Sequence, residues 1–123
     1  MEKTNVIIDG KEYILKSSID TKQKAISKKG MEFCIVRTYS AGVWAGYINR
    51  KLNKPENVVY EATRLWQWFG ATLSQIANDG FVDPSKCKIP EAVPEVSLTM
   101  IIEVIPCSKK AQESIINIKK WKQ

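Results

Sequence analysis

The chain has 123 residues, 44% hydrophobic and 26% charged, the balance of one soluble globular domain over residues 1–123 rather than of a disordered chain. Its net charge of +6 favours anionic partners such as phosphates, nucleic acids or acidic surfaces, although solubility alone accounts for it equally well. No histidine is present, which removes the usual general base near neutral pH, the commonest metal ligand and every imidazole-based triad.

In chain order, Val6-Ile7-Ile8 and Tyr13-Ile14-Leu15 flank Asp9-Gly10, and such a pair between β-formers predicts a tight N-terminal hairpin. Met1-Glu2-Lys3-Thr4 before it carries no apolar signal core. Lys22 to Gly30 is Lys-rich and reads as a loop or short exposed helix, mobile in the free protein. Phe33 to Arg37, Val43 to Ile48 and a third run from Val58 are strand-like. The turns at Ser40-Ala41-Gly42 and Asn53 to Asn57 join them into an antiparallel meander.

Thr63 to Phe69 fits two periods. Alternation aligns Tyr60, Ala62, Arg64, Trp66 and Trp68 on one strand face, whereas helical spacing aligns Leu65, Phe69, Leu73 and Ile76. The aromatic content favours a strand running to Trp68, punctuated by Gly70. A short helix follows from Ala71 to Asn78, with Leu73, Ile76 and Ala77 inward and Gly80 past its end. Phe81 to Val96, with Pro84, Pro90 and Pro94, reads as an irregular crossing. Leu98 to Ile105 reads as a central strand closed by Pro106. Ser108 is placed to cap a final helix from Lys109 to about Lys119, with Ala111, Ile115 and Ile118 buried. The fold class is α+β: an antiparallel sheet (meander plus N-terminal hairpin) with two helices.

Cys34, Cys87 and Cys107 have no CxxC spacing, so no metal site is expected; their odd number fits a reducing cytosol. No apolar run approaches the length of a membrane span, so a soluble intracellular protein is expected. Glu61 and Glu103 both fall in strands, but nothing fixes their spacing. The Lys-only clusters at Lys22/Lys24/Lys28/Lys29 and Lys109/Lys110/Lys119/Lys120/Lys122 are most simply solvated faces.

Three patterns have the chemistry to hold an anion. Arg64 lies beside Trp66 and Trp68 in the strand reading and beside Trp68 in the helix reading. A guanidinium binds phosphate bidentately and an indole stacks on a base. The plainer alternative, two core indoles and an arginine reaching past them to water, is commoner for such spacing. Arg37 leads into Tyr39, Ser40 and Gly42, where turn N–H groups suit an anion as well as an ordinary hairpin. Thr72 and Ser74 open a helix, where hydroxyls serve phosphate or simply cap.

The stretches IVRTYSAGVWAGYI (Ile35 to Ile48), TRLWQWFGATLSQIANDG (Thr63 to Gly80) and IEVIPCSKKAQESI (Ile102 to Ile115) resemble small phage and prophage proteins, including the first-described Thoeris anti-defence family. The resemblance implies a non-enzymatic sponge without cofactor. Such a protein sequesters a cyclic ADP-ribose isomer made by TIR-domain proteins, and some members also hold cyclic trinucleotides. It further implies a homo-oligomer in the cytoplasm of the infected or lysogenic host. Under it, Arg37 and Arg64 are the phosphate-binding candidates; Tyr39, Trp66 and Trp68 stack; Thr72 and Ser74 hydrogen-bond; and a second subunit completes the pocket. The rival classes are a single-stranded nucleic-acid binder and a protein that inhibits a host enzyme by contact.

Overall fold

The structure is a computed structural model that describes residues 5–8, 11–14, 23–52 and 54–122. It is an α+β fold. Among the described residues there are seven strands: β1 (Asn5–Ile8), β2 (Lys11–Ile14), β3 (Glu32–Thr38), β4 (Val43–Ile48), β5 (Asn57–Arg64), β6 (Val93–Leu98) and β7 (Ile101–Pro106). Two α-helices, α1 (Leu73–Asp79) and α2 (Lys109–Asn117), complete it. β1 and β2 pair antiparallel, as the alternating β-formers predict; the Asp9-Gly10 turn, Met1 to Thr4, Leu15, Lys22 and Asn53 lie outside the described residues.

The remaining strands form one antiparallel sheet in the order β6-β5-β4-β3-β7. The meander is as expected. The run from Leu98 is not a central strand: Leu98 ends β6, which also takes Val93 to Val96 of the expected crossing, and β7 starts at Ile101 on the opposite edge, with only Thr99 and Met100 between them. Edge strands of a flat five-stranded sheet would stand about 19 Å apart, four spacings of about 4.8 Å. The link from Leu98 to Ile101 reaches at most about 11 Å. The sheet must therefore curl until its edges meet at that corner. Ile101 N–H donates to Pro55 O (2.8 Å) and Tyr39 N–H to Met100 O (3.0 Å), holding the corner against both ends of the sheet. Met100 takes φ +53 to make the turn.

Period-two alternation then gives the sheet two apolar faces. Cys34, Val36, Trp44, Ile48, Val59, Ala62 and Leu98 fill the concave face, joined by Val96, Ile101 and Val104 from the two edges. Phe33, Ile35, Ala45, Tyr47 and Leu65 line the convex face and pack against Ile76 and Ala77 of α1 and Ala111 and Ile115 of α2. Thr72 caps α1 by accepting from Gln75 N–H (3.1 Å), and Gly80 ends it at φ +85 with its N–H on Ile76 O. Ser108 caps α2 through Ala111 N–H (3.0 Å) and also donates to Asn78 O (2.6 Å), tying the helices together.

Two local expectations are corrected. β5 stops at Arg64, not Trp68, because the chain leaves the ladder after Leu65 N–H bonds Val43 O. Residues 23–30 form a loop, one of the two expected forms, but one tied down by hydrogen bonds: Ala25 N–H bonds Cys107 O, and the buried Gln112 amide brackets Ile26, accepting from its N–H and donating to its C=O.

Candidate functional site

The best-organised polar cluster sits where β3 turns into β4. Thr38 locks the turn: its Oγ1 donates to Gly42 O and accepts from Ala41 N–H, each at 2.8 Å. Gly42 adopts φ +88, a left-handed conformation that costs an L side chain about 1–2 kcal/mol. A Cβ there would also stand 2.7 Å from Arg64 Nη1. Arg64 faces Trp44 across the β4–β5 ladder, and its guanidinium lies 4.2 Å from the indole centroid. Ala41 O receives both Arg64 Nη1–H (3.1 Å) and Trp44 Nε1–H (3.0 Å). The guanidinium is thus held between a glycine and a buried indole, and its bond to Ala41 O is its one hydrogen bond among the described residues. Tyr39 (75% exposed) and Trp66 (58% exposed) flank the same end of the sheet.

The other candidates are dispersed. Arg37 leaves the opposite, convex face and is paired with Glu103 (Nε to Oε1, 2.8 Å), its cross-strand partner. The two arginines therefore do not converge within one chain. Trp68 is half-buried against the helical layer, with Nε1–H on Ala71 O (3.0 Å), whereas Trp66 is exposed. Thr72 is occupied as the cap of α1, while Ser40 and Ser74 are exposed. Tyr39 and Ala41 N–H groups are already bonded, so the turn offers fewer donors than its sequence implies. Glu61 pairs with Lys28 and Glu103 with Arg37, on strands that are not neighbours. Trp44 is the partner that sequence reasoning missed; only the cross-strand register, which a bulge shifts, reveals it.

Two larger hollows lie elsewhere. A seam of about 430 Å³ separates β7 from the β4–β5 connection, between Ile101 to Val104 on one side and Arg50, Lys54 and Pro55 on the other. A cleft of about 470 Å³ opens on the convex face over Tyr47 and Tyr60. Neither has Arg64 or Trp66 in its lining. Burial pushes the Cys34 and Cys107 thiols up to about 12. Among the described residues, no group of three or more Cys, Asp or Glu is placed to hold a metal ion, and no helix is long and apolar enough to cross a membrane.

Residues 31–115 match DUF6948, a domain of unknown function, and the chain belongs to that family. The matched span runs from just before β3 through most of α2, so it takes in the whole curled sheet and the locked turn. No curated protein and no solved structure matches the chain.

Proposed function

We propose that the protein is a non-catalytic sponge: it captures a phosphorylated nucleotide signal and withholds it from a host effector. The ligand in this reading is a TIR-generated cyclic ADP-ribose isomer, which the sequence resemblance implies. One observation carries it on the physical side: Arg64 is fixed against Trp44 and beside the side-chain-free Gly42, at the end of the sheet where Tyr39 and Trp66 are exposed. A pre-positioned guanidinium suits a phosphate, and exposed rings suit a purine, with stacking worth roughly 1–3 kcal/mol per base. The rim is an open platform in one chain. Enclosure would come from a second copy laid against it, which accords with a homo-oligomer.

The test is native mass spectrometry with cyclic ADP-ribose isomers and cyclic trinucleotides, followed by heat release of the bound ligand. An intact ligand and at least about a tenfold loss of affinity in Arg64→Ala are expected, the scale of one charge-assisted hydrogen bond. Full affinity in Arg64→Ala, or a cleaved ligand, overturns the reading. Titration in rising salt separates it from single-strand binding, which would weaken steeply through counterion release.

A further inference from the structure

Helix α1 lies against β3 and β7, and Tyr47 of β4 and Tyr60 of β5 line the floor of the convex cleft. Tyr47 and Tyr60 are cross-strand partners on that floor. Tyr47 is fixed: Phe33 packs against its ring edge-on at 5.2 Å and Gln112 Nε2–H donates to its hydroxyl (3.1 Å). Tyr60 is 38% exposed, and its ring has no partner among the described residues. Lys28, Lys29 and Met31 form one wall, Glu61 and Pro94 the other, and the Lys28–Glu61 ion pair (2.6 Å) spans the cleft. Lys29 has no ion-pair partner among the described residues.

The backbone is bent to build this wall pair. Of the three non-glycine residues with positive φ among the described residues, Lys29 (+52) and Glu61 (+51) both line the cleft. Strain of about 1–3 kcal/mol at each persists where surrounding structure imposes it, and it gathers at ligand sites. Glu61 sits at a β-bulge opposite Gly46, where a Cβ would meet Val59 Cγ1 at 2.6 Å and Tyr60 O at 2.7 Å. The bulge places the Glu61 carboxylate in the cleft beside Tyr60, where regular alternation would send neighbouring side chains to opposite faces.

We infer that this cleft is a ligand site for a nucleoside phosphate, separate from the Arg64 rim on the concave face. The base stacks on Tyr60, the Glu61 carboxylate accepts from the ribose hydroxyls, and Lys28 and Lys29 hold the phosphate. The volume falls in the range of roughly 300–1,000 Å³ that small-molecule sites occupy. The chemistry divides accordingly: a free aromatic face for the ring, a carboxylate for a diol, as in dinucleotide sites, and two ammonium groups for a dianion. The inference does not depend on the rim.

Isothermal titration calorimetry with AMP, GMP, CMP, UMP, their 2′-deoxy counterparts, adenosine and ribose 5-phosphate tests it. At least one nucleoside monophosphate should bind. Adenosine, which lacks the phosphate, and ribose 5-phosphate, which lacks the base, should bind at least about tenfold more weakly than that ligand, the scale of one stacked base or one charged contact. Tyr60→Ala and Lys29→Glu should each lose a similar factor. Glu61→Gly, which keeps the left-handed backbone, should lose the preference for ribose over 2′-deoxyribose; the losses in Tyr60→Ala and Lys29→Glu should persist in an Arg64→Ala background. No binding of any monophosphate, full affinity in folded Tyr60→Ala and Lys29→Glu, or loss only in Arg64→Ala overturns it.

Discussion

Single residues set most of what can be measured first. Cys34 and Cys107 are buried on the two faces of the sheet, whereas Cys87 is half-exposed at the end of the Pro84–Lys86 turn. A thiol held protonated up to about 12 offers no thiolate to an electrophile at pH 8. Ellman titration of the native protein should therefore count one fast thiol, with the other two appearing only on denaturation; three fast thiols would contradict the packing. The same burial sets an alkaline limit. The unfolded chain ionises these thiols near the ordinary 9.0, so stability is at its full value below that pH and falls as pH rises through about 12. Urea midpoints measured from pH 7 to 11 should hold level and then drop, and Cys34→Ala/Cys107→Ala should flatten that drop while lowering the plateau.

At the scale of elements, β4 and β5 approach so closely that Gly46 is required. Gly46→Ala would force its methyl into Val59 and the Tyr60 carbonyl, and overpacking of this kind costs about 2 kcal/mol. A urea midpoint unchanged from wild type would show that the bulge is not held as described. This pair of strands also marks where sequence reasoning stops. The α+β class, the meander, the Ser108 cap and the inward stripe of α2 were legible because each rests on local chemistry, with Ile115 and Ala111 at helical spacing, whereas the sequence left the cap of α1 open between Thr72 and Ser74. The end of β5 was not, because the aromatic run Trp66 to Phe69 has strand propensity that tertiary packing overrides. Nor was the split of β6 from β7, since the turn uses Thr99 and Met100 with no glycine or proline between the strands. Of the site, Arg64 beside an indole was legible, but the wrong indole was chosen; cross-strand register at a bulge is a non-local property. The cleft residues were hidden for the same reason, as Lys28 and Glu61 meet only once the sheet is assembled.

Over the whole molecule, the 23–31 segment, α2 and the sheet are joined through Gln112, which is 4% exposed and contacts Ile26 and Tyr47. Gln112→Ala would strand those partners at a cost of about 2 kcal/mol and release the wall that carries Lys28 and Lys29. Hydrogen exchange should then quicken at Ile26, with helix α1 unaffected; unchanged protection at Ile26 would contradict the clamp. The +6 charge gives the molecule an attractive field for anions, so nucleotide association should slow with added salt more than the bound state weakens. The central claim is capture without turnover. Its most direct measurement is the mass of ligand recovered after the protein is loaded with a cyclic ADP-ribose isomer, washed and heated. Stoichiometric return of the unaltered ligand from wild type, with little from Arg64→Ala, is the outcome this account requires. Hydrolysed ligand, or equal recovery from both proteins, would contradict it.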